Sequence, residues 1–118
     1  MKYLVTDDSK LARLSLIKSL KANVGEEAEI FQAANGEEAV AIVKSQKPNV
    51  VFLDLTMPVM DGYEALPLIM ENQPNIKVIV VSADIQEQAK TKVINLGAQL
   101  HIQKPINAQK MKDILDII

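Results

Sequence analysis

The chain has 118 residues, of which 48% are hydrophobic and 24% charged, and its formal charge is -2. This length and composition are typical of one soluble globular domain, which we expect to cover residues 1–118. The absence of cysteine excludes disulfides and thiolate chemistry, and no apolar run is long enough to span a bilayer. The mixed charges form no basic stripe, so we expect no direct nucleic-acid binding, no membrane association and a cytoplasmic location.

The first two predicted units each combine a short strand with an amphipathic helix. Residues Lys2–Thr6 predict a strand, which Asp7, Asp8 and Ser9 end, and Asp8 or Ser9 is suited to cap the helix that follows. That helix is indicated by apolar residues at helical spacing, namely Leu11, Leu14, Ile17 and Leu20. A second strand is predicted at Glu29–Ala33, and a second amphipathic helix comes after it.

The third strand belongs to the most hydrophobic part of the chain. Val50–Leu53 is an unbroken apolar run, which is typical of a strand buried on both faces. Asp54 follows directly, and Asp61 is suited to cap a helix over residues 63–71. Pro67 falls inside this helix, where a proline removes a backbone hydrogen bond and costs about 3 kcal/mol. We therefore expect a late helix start or a kink.

Two further units complete the chain. Residues 76–81 predict a second continuous apolar strand, and the helix over residues 86–96 ends at Gly97. A last strand at Leu100–Gln103 precedes a helix that Asn107 caps. Five such units with right-handed crossovers predict an α/β fold, a doubly wound five-stranded parallel sheet of flavodoxin-like strand order 2-1-3-4-5. The two apolar strands should be interior, and the more polar second and fifth strands should be the edges.

Polar side chains follow the strands of this predicted sheet. They are Asp7 and Asp8 after the first strand, Asp54 after the third, Ser82 after the fourth and Lys104 after the fifth. Each alone is explained as a cap or turn residue, but the carboxyl ends of parallel strands meet at one edge, so these groups should converge. Clustered carboxylates favour a divalent cation such as Mg²⁺, for which the Thr56 backbone carbonyl is a further oxygen ligand. An ammonium and a hydroxyl beside a metal suit a phosphoryl group.

In this order the motifs resemble those of response regulator receiver domains of two-component signalling, the CheY-like family. The resemblance covers the whole chain, including the stretch from Asp54 to Gly62, Ser82 before an alanine, and Lys104 before Pro105. The resemblance implies that Asp54 is the phosphoacceptor and that Asp7, Asp8, Asp54 and the Thr56 carbonyl are the Mg²⁺ ligands. It implies that Ser82 is the switch hydroxyl. It also implies that Lys104 is the phosphoryl-sensing lysine and that its peptide bond to Pro105 is cis.

Three further positions imply finer features by the same resemblance. The family usually carries Tyr or Phe where His101 stands. His101 is therefore either a surface imidazole on an edge strand or a rotameric switch that moves with Ser82 and also responds to pH. Thr56 and Asp84 resemble the two variable positions that set how fast the phosphoaspartate hydrolyses.

The implied function is a signalling switch rather than a turnover enzyme. A histidine kinase or phosphotransfer protein would phosphorylate Asp54 with Mg²⁺, and the chain would assist its own phosphorylation and dephosphorylation. The surface between Gln86 and Lys112 would then bind a downstream protein, with homodimerisation left open. One alternative is a receiver-like binding module that is never phosphorylated. Another is an aspartyl-nucleophile phosphohydrolase resembling the haloacid dehalogenases, which have a second acid where this chain has Thr56.

Overall fold

A computed structural model of the chain describes residues 1–83 and 86–118. In this described part, five strands alternate with five helices. The strands are β1 Lys2–Thr6, β2 Glu29–Ala33, β3 Val50–Leu53, β4 Lys77–Ser82 and β5 Leu100–Gln103. The helices are α1 Lys10–Lys21, α2 Gly36–Gln46, α3 Gly62–Asn72, α4 Glu87–Asn95 and α5 Ala108–Ile117. Among these helices, none has the length and apolar character needed to cross a membrane.

The strands form one parallel sheet in the order β2-β1-β3-β4-β5. This confirms the predicted α/β fold and its strand order. Every residue of β3 is buried, and all of β4 after its first residue is buried, as expected of interior strands. The edge strands β2 and β5 consist mostly of half-buried and exposed residues.

The core lies on both faces of the sheet because successive strand residues point to opposite sides. Leu4 and Leu53 belong to one cluster, which includes buried residues of α2, α3 and α4. Their neighbours Val5 and Phe52 belong to the other cluster, which includes buried residues of α1 and α5. Packing in the two clusters holds the strand ends at a fixed spacing, so that polar residues at the carboxyl edge of the sheet keep their relative positions.

Side-chain caps set the beginning of four helices. The residues that accept a hydrogen bond from a backbone N–H of the first turn are Ser9 for α1, Asn35 for α2, Asp61 for α3 and Asn107 for α5. Of the two predicted caps for α1, Ser9 is therefore the one used, at 3.2 Å from the Ala12 nitrogen. Asp8 is left with an exposed carboxylate at the sheet edge.

Of the two alternatives predicted for α3, the late start is wrong and the kink stays a prediction. The helix begins at Gly62 and continues through Pro67 to Asn72. Its start is fixed by a capping box, in which Asp61 and Glu64 each bond the other's backbone N–H. The Pro67 ring is exposed, so it meets solvent rather than the core. Capping at one end and burial of the inner face together outweigh the lost hydrogen bond.

Candidate functional site

Three carboxylates converge at the carboxyl edge of the sheet. Asp7 and Asp8 follow β1, Asp54 follows β3, and one oxygen of each lies within 4.8 Å of the others. Asp7 and Asp54 are each only 7% exposed, whereas Asp8 is exposed. The predicted convergence of these residues is present in the fold.

The two buried carboxylates have matching hydrogen bonds. The Oδ1 atom of Asp7 accepts from the Ser9 backbone N–H at 2.9 Å, and the Oδ1 atom of Asp54 accepts from the Leu55 N–H at 2.8 Å. Each Oδ2 atom contacts the Lys104 ammonium, at 2.6 Å from Asp7 and 3.2 Å from Asp54. Lys104 therefore bridges the two acids from the end of β5, as its sequence position predicted.

Backbone contacts fix where Asp54 lies. Its N–H donates to the Thr6 carbonyl at 3.0 Å, and the N–H of Gly62 donates to the Leu55 carbonyl at 3.0 Å. The second contact brings the start of α3 against the end of β3. A Cβ atom at Gly62 would lie 2.2 Å from the Asp54 carbonyl oxygen, closer than any two such atoms can approach. Glycine at this position is thus a requirement of the site.

The environment shifts two pKa values at this cluster. Burial raises the pKa of Asp54; the Lys104 charge opposes this and the Asp7 charge adds to it, so that the pKa lies above its ordinary value. For Lys104, burial alone would lower the pKa. The hydrogen bond to Asp7 and the charges of Asp54 and Asp7 outweigh that effect and raise it. The lysine thus stays protonated, while ionised Asp54 is held at an energetic cost.

Ser82 and Thr56 lie at or just beyond the carboxyl ends of the interior strands β4 and β3. Ser82 ends β4, is 4% exposed, and its carbonyl accepts from the Lys104 backbone N–H at 2.9 Å. Thr56 is exposed, two residues beyond Asp54 in the loop after β3. Asp84, for which a part in hydrolysis was predicted, lies outside the described residues. The peptide bond between Lys104 and Pro105 is cis, as the family resemblance implied.

His101 is half-buried on β5, in register with Val80 of β4. Its strand neighbours Leu100 and Ile102 pack in the α1–α5 cluster, so the imidazole lies on the α4 side of the sheet. Its Nε2 atom is inaccessible to solvent and has no hydrogen-bond partner within the described part of the chain. A buried nitrogen without a partner costs about 1–3 kcal/mol, so the ring is less favourably placed here than a freely exposed histidine.

Arg13 was not predicted as a site residue. Its Nη1 atom donates to the Asp7 carbonyl at 2.8 Å, from the first turn of α1. One sequence signal could have found it: Arg13 is the chain's single arginine, and it follows the acidic pair by about one helical turn. The contact itself depends on the angle at which α1 leaves β1, which no sequence pattern specifies.

The donor set at this edge fits a hard divalent cation. Carboxylate oxygens are the ligands that Mg²⁺ prefers, and three of them come together here. One ammonium does not balance three carboxylates, so the cluster keeps a net negative charge. The exposure of Asp8 gives an ion and its bound waters access from solvent. The cluster therefore can bind a metal, with Lys104 as its internal counter-charge.

Comparison with known proteins places this chain in a family. The family model for the response regulator receiver domain matches residues 3–116. Protein CcdB of Bacillus subtilis is 37% identical, over 93% of this chain and 90% of that protein. Chemotaxis protein CheY of Thermotoga maritima is 36% identical, over 98% of this chain and 94% of that protein.

A solved structure agrees with these sequence matches. In the crystal structure of the CheX–CheY–BeF3–Mg²⁺ complex from Borrelia burgdorferi, the matched chain is 33% identical and superposes with a TM-score of 0.89. The match covers 100% of this chain and 90% of that one. Because sequence and fold agree over nearly the full length, the chain belongs to the receiver domains of CheY-like two-component response regulators, which are regulators rather than classical enzymes.

Proposed function

We propose that this single receiver domain, residues 1–118, is a switch that accepts a phosphoryl group on Asp54 from a histidine kinase or phosphotransfer protein. The observation that carries the proposal is the pairing of one ammonium with two buried carboxylates: Lys104 lies 3.2 Å from Asp54 and 2.6 Å from Asp7. A nucleophile needs such a fixed cation beside it, because phosphoryl transfer depends chiefly on positioning and charge neutralisation.

The hydrogen bonds of Asp54 indicate which oxygen reacts. Oδ1 is held by the Leu55 N–H, whereas Oδ2 contacts only the Lys104 ammonium among the interactions described. We assign the attack to Oδ2, which forms the new O–P bond while the P–N bond of the phosphohistidine breaks and the imidazole leaves. The Lys104 ammonium then follows the phosphoryl oxygens.

Mg²⁺ is the proposed cofactor, bound by Asp7, Asp8, Asp54 and the Thr56 backbone carbonyl. When bound, it would neutralise charge that builds up on the transferring phosphoryl group. The support for this part is the 4.8 Å cluster of carboxylate oxygens and its net negative charge. The similar CheX–CheY complex from Borrelia burgdorferi contains Mg²⁺ together with BeF3, which supports Mg²⁺ as the ion bound here.

Ser82 and His101 are the proposed switch pair. Ser82 ends β4 beside the strand that carries His101, so a hydroxyl drawn toward the phosphoryl group leaves space on the α4 side of the sheet. The imidazole, whose Nε2 atom lacks a hydrogen-bond partner among the described residues, would turn into that space. Thr56 and Asp84 are proposed to set the rate of phosphoaspartate hydrolysis.

The proposed output is the surface between Gln86 and Lys112, made by α4, β5 and α5. Because β5 is an edge strand between two helices, a rotation of His101 changes this surface directly. A downstream protein is the proposed partner, and a second copy of the chain is the other candidate. A cytoplasmic location and the lack of direct nucleic-acid contact are parts of the same proposal.

Intact-mass measurement with a small phosphodonor tests the proposal. The protein is incubated with acetyl phosphate, with Mg²⁺ or with EDTA, alongside Asp54→Asn and the control Asp61→Asn. We expect one labile phosphate adduct in the presence of Mg²⁺, present in the control and absent from Asp54→Asn. Failure of the wild type either to form an adduct or to consume any donor would favour the unphosphorylated binding module. Rapid consumption of the donor without an accumulating adduct would favour the phosphohydrolase.

A further inference from the structure

Arg13 connects three elements at the acidic edge. From α1, its Nη1 atom donates to the Asp7 backbone carbonyl at 2.8 Å and its Nε atom donates to the Gln32 side chain at 2.9 Å. Asp7 ends β1, and Gln32 belongs to the edge strand β2. Two nitrogens of the half-buried Arg13 side chain therefore have separate acceptors, a backbone carbonyl and the exposed side chain of Gln32, which together orient the guanidinium.

The contact completes the restraint on Asp7. Its N–H donates to the Ala33 carbonyl at 3.1 Å, and its carboxylate is bonded by Ser9 and Lys104. The carbonyl is the remaining polar group of this residue, and Arg13 binds it. Each hydrogen-bonding group of Asp7 therefore has a partner in the fold.

The restraint extends to Asp8 through the peptide bond. A peptide unit is planar, so a fixed carbonyl at Asp7 also fixes the direction of the Asp8 N–H and the position of the Asp8 Cα. The Asp8 carboxylate is exposed and has no ion pair among the described residues. Its approach to the other two carboxylates thus depends on how its backbone is held.

We propose that Arg13 is a positioning residue for the divalent-cation site, acting through the Asp7 carbonyl to hold Asp7 and Asp8 in a ligand-ready arrangement. The inference rests on the proposed function, because it concerns the Mg²⁺ site assigned there. Groups that orient metal ligands without touching the metal typically change metal affinity by about 10- to 100-fold when removed. Here the group acts on a backbone carbonyl, so we expect the lower end of that range.

The charge of Arg13 and its hydrogen bond to the Asp7 carbonyl should have opposite effects on Mg²⁺ affinity. A guanidinium near the cluster repels a divalent cation, so removal of the charge alone would tighten Mg²⁺ binding. Loss of the carbonyl contact would weaken it. The two effects have opposite signs, which allows variants to separate them.

Calorimetric titration with Mg²⁺ alone, without phosphodonor, gives the test. Arg13→Lys keeps the charge but cannot bond both acceptors, and Gln32→Met keeps Arg13 but removes the acceptor that orients it. We expect the Mg²⁺ dissociation constant to rise about 10-fold in Arg13→Lys and by a smaller factor in Gln32→Met. Lys18→Met, which removes an exposed cation from the same helix, is the matched control and should leave affinity unchanged or slightly tighter.

Thermal unfolding in EDTA separates positioning from general stability. A merely structural role would lower the unfolding temperature without changing the dissociation constant of the folded protein at low temperature. If Arg13→Lys binds as the wild type does and Arg13→Met binds more tightly, the arginine acts only as a charge and the inference is wrong. If the wild type itself binds no Mg²⁺, the proposed function fails along with the inference. If the wild type binds Mg²⁺ and the Arg13→Lys and Gln32→Met variants have the same dissociation constant, the inference about Arg13 is wrong but the proposed function stands.

Discussion

Asp54 is held in a state that costs stability. Its carboxylate is 7% exposed, and burial raises its pKa in spite of the neighbouring Lys104 ammonium. A raised pKa means that the native state favours the protonated acid. The stability linked to this proton is complete below the ordinary value of 3.8 and is lost as pH rises through the higher native pKa. At neutral pH the ionised acid therefore destabilises the fold, as is common at functional sites.

Asp54→Asn should accordingly be more stable than the wild type at neutral pH when no metal is present. The amide cannot ionise, so the variant avoids the cost of a buried charge. The difference should shrink as pH falls toward the ordinary value of 3.8, because the raised pKa lets the native acid take up its proton above that value. Urea unfolding in EDTA at a series of pH values measures it. Asp61→Asn is the control and should change little, because asparagine caps helices as well as aspartate does.

An Asp54→Asn protein that is less stable than the wild type at neutral pH would contradict this view. In that case the Lys104 ion pair, at 3.2 Å, would contribute more than burial costs. Excess Mg²⁺ should reverse the order of the two proteins, since the ion would stabilise only the chain that retains its three carboxylates.

Gly62→Ala should destabilise the protein by about 1–3 kcal/mol. The added Cβ would meet the Asp54 carbonyl at 2.2 Å, so either β3 or the start of α3 must move. Gly25→Ala is the matched control: the three atoms nearest to its Cβ all belong to the carboxylate end of Glu27, an exposed side chain that can turn away. Equal unfolding midpoints in urea for both variants would show that the close approach at Gly62 is not rigid.

At the scale of the elements, α2 ends in a conformation that its residue disfavours. Lys47 caps the helix with φ at 48°, in the left-handed region, while its N–H donates to the Val43 carbonyl at 3.1 Å. Glycine reaches this region without steric cost. Lys47→Gly should therefore stabilise the protein by about 1 kcal/mol.

Chemical denaturation checks the Lys47→Gly variant against Lys44→Gly. Lys44 lies within α2, where glycine costs about 1 kcal/mol, so the two substitutions should shift the unfolding midpoint in opposite directions. A destabilised Lys47→Gly would mean that the lysine side chain stabilises the helix end more than its backbone strain costs.

Some features of the strands and helices, and of the site between them, could be predicted from the sequence, and others could not. The burial of β3 and β4 could be predicted because apolar runs such as Val50–Leu53 have few alternatives to a central strand. Asp54 and Lys104 could be placed at one edge because parallel strands end together. The Asp61 cap of α3 could also be predicted, but the start of α3 ahead of Pro67 was missed, since the capping box and the packing beyond Pro67 outweigh the local cost of the proline. Contacts across elements, such as Arg13 with the Asp7 carbonyl, need the three-dimensional fold.

Across the whole molecule, Lys104 links the first and last strands of the chain. Its ammonium contacts Asp7 after β1 and Asp54 after β3, while its backbone N–H bonds Ser82 at the end of β4. A charge added at Asp54 would therefore act on four strand ends at once. This arrangement suits a switch, because one local event reaches the edge strand β5.

Ser82→Ala should keep the binding of a phosphoryl analogue but reduce the structural change that this binding causes in α4 and β5. We expect the variant still to bind beryllofluoride with Mg²⁺, because the carboxylates and Lys104 remain. In amide NMR spectra, however, the shifts that beryllofluoride causes in α4 and β5 should be reduced, since no hydroxyl moves away from His101. Ser45→Ala, an exposed position on α2, should respond as the wild type does. Full shifts in α4 and β5 of Ser82→Ala would contradict the proposed switch pair.

Chemical trapping of the phosphorylated residue is the most direct test of the proposed function. Sodium borohydride reduces an aspartyl phosphate to homoserine, so the protein is treated with acetyl phosphate and Mg²⁺, reduced, digested and sequenced by tandem mass spectrometry. We expect homoserine at Asp54 and nowhere else, and none when EDTA replaces Mg²⁺. Homoserine at Asp7 or Asp8, or its absence from Asp54, would contradict the assignment of Asp54 as the phosphoacceptor.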